Sequence, residues 1–133
     1  MQAKSPERKG GSGMRMNDKT LEMVAERFRV LGDPLRLRLL NALSDREKSV
    51  TELVGETGAS QANVSKHLGV LLQGGLIERR KEGLFVYYHC ADPNVFEICD
   101  VVCGSLRDRL SRDLSELRAA GPSRRRRKGR RPE

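Results

Sequence analysis

Aromatic residues, histidine and cysteine are all scarce in this 133-residue chain, and tryptophan is absent. Aromatics make up 4% of the residues, too few to provide stacking platforms for single-stranded nucleic acid. No apolar run reaches the length of a membrane-spanning helix, and the N-terminus lacks the apolar segment of a secretory signal. We therefore expect a cytoplasmic protein without membrane contact, in which a structural disulfide between its three cysteines is not expected.

Motifs for catalysis are also lacking. The chain has no phosphate-cradling glycine loop, no carboxylate dyad and no cofactor motif. His89 and Cys90 are neighbours on a predicted strand and so point to opposite faces, which makes them a poor base and nucleophile. We expect no enzymatic activity.

Positive charge is concentrated at the two ends of the chain. Of the formal charge of +8, residues 1–17 carry +3 and residues 121–133 carry +6, so the body between them carries −1. Gly, Ser, Pro and Arg are frequent at both ends, which favours disorder. We predict a disordered basic tail over 1–17, one folded domain over 18–119 and a disordered Arg-rich tail over 120–133. The Arg-rich tail could add phosphate contacts or simply aid solubility.

Apolar residues at helical spacing predict three helices in the first half of the body. The first spans Lys19 to Leu31 and ends at Gly32. Asp33 and Pro34 give a start signal for the second, in which Arg36 and Arg38 are expected to face outward. Its predicted buried stripe consists of Leu35, Leu37, Leu39, Leu40 and Leu43. Thr51 is the predicted cap of a short third helix, Glu52 to Thr57.

The next helix has the features of a DNA-recognition helix. Ser60 is its predicted cap, and the spacing of Val64, Leu68 and Leu71 predicts one buried face. The other side carries Gln61, Asn63, Ser65 and Lys66. Their amides and hydroxyl can bond base edges in the major groove, as in a helix-turn-helix.

After Gly74 and Gly75 the apolar period falls to two, which predicts a β-hairpin, or wing. Arg79, Arg80 and Lys81 lie near its tip and are expected to hold DNA phosphates. A fold that is mainly α with a small β-hairpin wing (α+β) follows, a winged helix-turn-helix.

The last predicted helix starts at Asp92 and Pro93 and is apolar along one side for most of its length. The stripe consists of Val95, Phe96, Cys99, Val102, Cys103, Leu106, Leu110, Leu114 and Leu117. One small domain has little core left for this stripe to cover. We therefore predict a homodimer formed through the first and last helices, which reads an inverted repeat in double-stranded DNA.

These motifs together resemble the ArsR/SmtB family of winged-helix repressors, over about residues 22–110. The specific pieces are "FRVLGDPLRLRLLNAL", "VTELVGETGASQANVSKHLGVLLQGGLIERRKEG" and "VYYHCADP". The resemblance implies a dimer that binds a palindromic operator and leaves it when an inducer binds. The family's "SKHL" suggests that His67 orients the recognition helix or contacts phosphate.

Cys90, Cys99 and Cys103 are the candidate inducer ligands. Positions 99 and 103 are four apart and share one face of a helix, and a short loop could bring Cys90 to them. Three sulfurs without a nearby histidine favour As(III) or Sb(III), with Cd(II), Pb(II) or Cu(I) behind, and no tightly bound cofactor. The alternatives are apolar packing, above all for Cys90, and a redox or persulfide switch with the same cysteines.

The sequence departs from the family's common metal sites at two places. A cysteine pair that other members carry before the turn is replaced here by "ELVGET", residues 52–57. The carboxylate-and-histidine zinc site of the last helix is also missing, since the only histidines are His67 and His89. The resemblance therefore implies a repressor whose sensing cysteines lie on or near the last helix.

Overall fold

The computed structural model describes residues 15–120, which form five α-helices and a small antiparallel sheet. In chain order these are α1 Asp18–Leu31, α2 Pro34–Ala42, β1 Lys48–Ser49, α3 Val50–Thr57, α4 Gln61–Gln73, β2 Ile77–Glu82, β3 Phe85–Cys90 and α5 Asn94–Ala120. The predicted fold class, mainly α with a hairpin wing, is confirmed. The disorder of the tails stays a prediction, because residues 1–14 and 121–133 lie outside the described residues.

The chain divides into two compact units, with the boundary between Asp92 and Pro93. The first contains α1 to α4 and the sheet, and its described part, residues 15–92, is called here the winged-helix unit. The second consists, in its described part, of α5. Within residues 15–120, no helix combines the length and apolar character that crossing a bilayer requires.

Capping side chains fix the starts of α2 and α4. Asp33 precedes Pro34, and its carboxylate accepts hydrogen bonds from the backbone N–H groups of Leu35 (2.9 Å) and Arg36 (3.2 Å). The hydroxyl of Ser60 accepts one from the N–H three residues further on, at 3.1 Å. These N–H groups have no partner inside their helices, so the caps stabilise both starts. Both predicted caps are confirmed.

The predicted start of α3 was wrong by two residues. Ser49, not Thr51, is the cap: its hydroxyl accepts from the N–H of Glu52, whose carboxylate accepts in turn from the N–H of Ser49. This reciprocal capping box needs Glu or Gln three residues after the cap. Thr51 has Val54 at that position, so it cannot form one.

A buried lysine joins α2 to α3. Lys48 is 4% exposed, and its Nζ donates to the carbonyl of Ala42 and to the carboxylates of Asp45 (3.1 Å) and Glu56 (2.9 Å). The hydrogen bond with Glu56 is the main cause that raises the pKa of Lys48. A buried cation is stable only when it is paired. These partners therefore hold the loop that leads into the helix-turn-helix.

The sheet is antiparallel, in the order β1-β3-β2. Gly83 and Leu84 form the two-residue turn between β2 and β3, and Gly83 has a φ of +63°, which glycine adopts without steric cost. The predicted hairpin is confirmed. β1 was not predicted, since a strand of two residues has no alternation to detect.

The core of the winged-helix unit is built from apolar side chains of α1 to α4, β2, β3 and the adjoining loops. The largest fully buried ones there are Leu39, Leu40, Leu53, Val64, Leu68, Leu71, Leu76 and Ile77. α2, α3 and α4 pack on one another, which gives the helix-turn-helix its shape. The predicted stripe of α2 was too wide, because Leu35 is half-buried and Leu37 is exposed.

α5 has 27 residues and is therefore about 40 Å long. It begins after Pro93, two residues later than the predicted start at Asp92. Val95 is its buried residue. Six large apolar side chains stay exposed on it: Val101, Val102, Leu106, Leu110, Leu114 and Leu117. Most of its apolar surface is thus open to solvent in the single chain.

Candidate nucleic-acid interface

The turn between α3 and α4 is held by local hydrogen bonds. Gly58 ends α3 with a φ of +74°, and its N–H donates to the carbonyl of Val54 at 2.9 Å. The hydroxyl of Thr57 donates to the carbonyl of Leu53 (2.7 Å) and accepts from the N–H of Ala59 (3.3 Å). A left-handed residue at this position favours glycine. The turn therefore sets the direction in which α4 leaves α3.

α4 has one buried face and one polar face. Val64, Leu68 and Leu71 are at most 1% exposed. The exposed residues include Gln61, Asn63, Ser65 and Lys66. Amide and hydroxyl groups can both donate to and accept from base edges, and Lys66 adds one charge. The residues predicted to read bases are thus exposed on α4, the helix that follows the turn. Their contacts with DNA stay a prediction.

His67 is half-buried on α4 and contacts Arg36 of α2. The distance between a terminal guanidinium nitrogen of Arg36 and Nδ1 of His67 is 2.9 Å. Arg36 also donates through Nε to the carbonyl of Val30 (2.6 Å) and through its other terminal nitrogen to the carbonyl of Arg29 (3.2 Å). The prediction that Arg36 faces outward was wrong. Arg36 instead connects the end of α1 to the recognition helix.

Arg80 of the wing is engaged inside the molecule. Its guanidinium donates to Glu47 (Nε to Oε1, 3.1 Å) and Glu82 (2.7 Å) and lies 5.1 Å from the ring centroid of Tyr87. The hydrogen bonds to Glu47, and next the one to Glu82, raise the pKa of Arg80. The hydrogen bonds from Arg80 lower the pKa of Glu47. In the free protein Arg80 therefore braces the wing, and its predicted contact with phosphate stays a prediction.

Arg79 and Lys81 have a different environment. Both are exposed, opposite Tyr88 and Val86 in the sheet register. Neither has an ion-pair partner among residues 15–120. Their charges are therefore available to phosphate oxygens without the loss of an existing ion pair.

The tip of the wing is apolar. Leu84, the second residue of the turn, is 98% exposed, and Phe85 is 63% exposed. The prediction for this tip concerns its basic residues and does not include Leu84, although Leu84 directly follows the glycine of the turn. Leu84 therefore presents an apolar group close to the strand that carries Arg79 and Lys81.

All three cysteines are free thiols. Cys90 and Cys99 are half-buried, and Cys103 is exposed. Cys99 and Cys103 lie one turn apart on the same face of α5, and Arg107 donates to Sγ of Cys103 at 3.2 Å. Within residues 15–120 of one chain, no group of three or more His, Cys, Asp or Glu side chains is arranged to hold a metal ion. The clearest sulfur pair is therefore Cys99 with Cys103.

Comparisons with known proteins place these features in a family. A profile described as "Bacterial regulatory protein, arsR family" matches residues 33–79. The chain is 35% identical over 105 residues to the HTH-type transcriptional regulator Rv0081 of Mycobacterium tuberculosis, covering 75% of this chain and 91% of that protein. This chain belongs to the ArsR family.

Solved structures agree with this ArsR-family assignment. The crystal structure of Rv0081 matches with a TM-score of 0.65 and 32% identity, over 74% of this chain and 99% of that one. The homodimeric winged helix-turn-helix DNA-binding domain of Mb0332 from Mycobacterium bovis matches with a TM-score of 0.61 and 28% identity, over 84% of this chain and 95% of that one.

A further relative by sequence is a probable mercury resistance operon repressor of Streptomyces lividans. It is 36% identical over 77 residues, which cover 58% of this chain and 62% of that protein.

Membership of the ArsR family establishes the general activity of the chain. It is a DNA-binding transcriptional regulator with a winged helix-turn-helix, and it is not an enzyme. The matched segment runs from the cap of α2 to the third residue of β2, so it contains α3, the turn and α4. Cys90, Cys99 and Cys103 lie beyond it. The profile match therefore concerns the DNA-binding part and leaves the signal open.

The inner position of Arg36 was not predicted, although the sequence contained a signal for it. It lies four residues before Leu40 and seven before Leu43, the spacing of one helix face, and both leucines are buried. An arginine on the buried side of a helix needs hydrogen-bond acceptors from the elements packed against it. This spacing predicts an inward position that the leucine count alone obscured.

Proposed function

We propose that this ArsR-family protein is a cytoplasmic transcriptional repressor that binds an inverted-repeat operator as a homodimer. It leaves the operator when a thiophilic metalloid or metal binds cysteine thiolates on or near α5. As(III) and Sb(III) are the best candidates, followed by Cd(II), Pb(II) and Cu(I). The observation that carries the proposal is the exposed, mostly uncharged polar face of α4, which follows the helix-turn-helix turn directly.

In this proposal α4 lies in the major groove and the wing lies along the DNA backbone. The side-chain amide of Gln61 or Asn63 can form two hydrogen bonds with adenine, accepting one through its oxygen and donating one through its NH2 group, and Ser65 can donate or accept. The phosphate contacts come from Lys66, His67, Arg79, Arg80 and Lys81. Phosphate contacts position the protein, whereas base contacts select the sequence. The free charges of Arg79 and Lys81 make them the stronger candidates in the wing.

A homodimer is supported by apolar side chains that the single chain leaves exposed. Phe28 of α1 is 52% exposed, and Leu106 and Leu117 of α5 are 64% and 70% exposed. Apolar surface of this extent on a water-soluble regulator marks an interface. A twofold dimer places two recognition helices about 34 Å apart, one turn of DNA, which suits an inverted repeat. The homodimeric state of the similar Mb0332 domain supports the same arrangement.

The proposed sensor is centred on Cys99 and Cys103. Two thiolates one helical turn apart can bind one soft ion, and three-coordinate As(III) then needs one more sulfur. We propose that Cys90 of the same chain or of the second copy supplies it. The mercury resistance repressor among the relatives is named for another thiophilic metal. The coupling required is modest, since about 1–3 kcal/mol changes operator affinity roughly 5- to 150-fold.

The test is operator binding by the reduced protein, measured by fluorescence anisotropy on DNA from its own promoter region. A non-thiol reductant is present while As(III), Sb(III) and Cd(II) are titrated separately. It is removed before the titration with a persulfide donor, because it would reduce the persulfide back to the thiol. Cys99→Ser and Cys103→Ser are expected to bind the operator normally but to resist release by the ion. Ser105→Ala, a neutral change on the same helix, is the matched control and should be released like the wild type.

The outcomes separate the parts of the proposal. Release by a thiophilic ion that both cysteine variants abolish supports the sensor, and loss of release in Cys90→Ser adds the third ligand. Release by the persulfide donor alone replaces the metalloid sensor with a sulfur-responsive one. This sulfur-responsive repressor is the second candidate, and it is supported by the exposed thiol of Cys103 beside the cationic Arg107. Absence of specific binding to any promoter fragment refutes the repressor.

A further inference from the structure

The contact between Arg36 and His67 fixes where the imidazole carries its proton. A guanidinium has only N–H donors and stays protonated in proteins, so it cannot accept a hydrogen bond. Nδ1 of His67, 2.9 Å from the terminal nitrogen of Arg36, must therefore be the acceptor and carry no proton. A neutral imidazole that accepts through Nδ1 has its proton on Nε2.

Two more of the five N–H donors of Arg36 are used by the end of α1. Nε donates to the carbonyl of Val30 and the second terminal nitrogen to the carbonyl of Arg29. Carbonyls in the last turn of a helix lack partners inside the helix, and the negative end of the helix dipole favours a cation there. Arg36 thus satisfies α1 and His67 at once, and its guanidinium has three simultaneous partners in the protein.

We propose that Arg36 is a positioning residue for DNA binding. It connects α4 to α1 and keeps His67 in the tautomer that is protonated at Nε2. His67 then offers the DNA a single, directed and uncharged donor. Arg36 itself does not contact phosphate, although it is a cation near the recognition helix. This inference rests on the proposed reading of DNA by α4.

The tautomer can be measured without DNA. In the ¹⁵N-labelled full chain, long-range ¹H–¹⁵N spectra of the ring distinguish a protonated from an unprotonated nitrogen, and His89→Gln assigns the signals of His67. We expect Nδ1 of His67 to be unprotonated and Nε2 protonated. Arg36→Lys should produce a mixture of tautomers, because an ammonium cannot form the three-way fork. A protonated Nδ1 in the wild type would overturn the inference.

DNA binding provides the second test. Arg36→Lys keeps the charge but loses the fork, so operator affinity should fall about tenfold, as for the loss of a hydrogen bond to a charged group. The dependence of affinity on salt should stay unchanged, whereas Lys66→Gln should lower its slope by about one. Wild-type affinity in Arg36→Lys, together with a lower salt slope in Arg36→Met, would mean that Arg36 binds phosphate directly.

Two controls separate positioning from misfolding. Arg38→Lys, on the same helix and exposed, should bind like the wild type. His67→Gln can still accept and donate and should retain most of the affinity, while His67→Leu should lose as much as Arg36→Lys. The double variant Arg36→Lys/His67→Leu should lose less than the sum of the two single losses, because both changes remove one shared contact. Fully additive losses would refute the coupling. If the wild type binds no specific DNA, the proposed function fails while the ring spectra still decide the tautomer.

Discussion

The winged-helix unit and α5 differ in how far their apolar side chains are buried. In the winged-helix unit, side chains such as Leu39, Leu53 and Leu71 are completely buried. In α5, Val95 is buried whereas Leu106, Leu110 and Leu117 are 60–70% exposed. The first unit thus contains its own core, and α5 carries an apolar stripe on a stable helix without one. The difference indicates that the winged-helix unit buries its apolar side chains within one chain, whereas the stripe of α5 needs a further surface such as a second copy.

The largest effect is expected when the stripe of α5 is made charged. Leu106→Glu combined with Leu110→Glu should convert the dimer to a monomer, because two carboxylates cannot be buried in an apolar interface without partners. A monomer reaches one half-site only, so operator affinity should fall by more than about a hundredfold. Sedimentation measures the first effect and anisotropy the second.

The control for this variant lies on the same helix. Val101 is also exposed, but at about 100° per residue it lies away from the stripe. Val101→Glu should leave both the dimer and operator binding intact. If the charged double variant still sediments as a dimer, the stripe is not the interface. The exposure of its apolar side chains would then not be explained by dimer formation.

The next effect compares one leucine from each unit. Leu68→Ala should lower the free energy of unfolding by about 2–5 kcal/mol, because it leaves a cavity in a packed core. Leu106→Ala should destabilise by an amount that depends on protein concentration, since only the dimer buries this side chain. Thermal unfolding at two widely separated protein concentrations distinguishes them. A cost of Leu106→Ala that is independent of concentration would assign it to the core of a single chain.

The parts of the fold that were predictable from the sequence are those with local signals. The caps Asp33 and Ser60 and the turn at Gly83 act within a few residues, so the chain itself displays them. β1 could not be predicted, because its two residues form a strand only through their pairing with β3. The ion pair between Arg80 and Glu47 joins residues 33 apart in sequence, and local periodicity has no bearing on it.

The candidate site divides in the same way. The accessible face of α4 follows from helix periodicity, and so does the spacing of Cys99 and Cys103. The inner position of Arg36 also follows from its spacing to Leu40 and Leu43, but the identity of its partners does not, because they come from two other helices. A third ligand for the sulfur pair is a matter of tertiary or quaternary structure, on which sequence spacing gives no information.

A smaller effect is expected from the cap of the recognition helix. Ser60→Ala removes the acceptor for the N–H of Asn63 and should cost about 1 kcal/mol of stability. Ser111→Ala in the interior of α5 is the matched control and should be neutral or slightly stabilising, because alanine has the higher helix propensity. Chemical unfolding of both variants measures the difference. Equal stabilities would mean that packing alone holds the start of α4.

The smallest effect concerns acid, and it also belongs to the winged-helix unit. The pKa of Asp33 is lowered below its usual value of 3.8, and the largest cause is the hydrogen bond from the backbone N–H of Arg36. A carboxyl group whose pKa is lower in the folded protein stabilises it above the unfolded pKa, and this stability is lost as the pH falls through the folded pKa. Asp33→Asn keeps a capping oxygen without the charge, so its melting temperature should change less between neutral pH and about pH 3. Asp45, Glu47 and Glu52 also have a lowered pKa, but they are present in both proteins, so the difference isolates Asp33. Parallel melting curves at every pH would show that Asp33 acts at the start of α2 as a hydrogen-bond acceptor only.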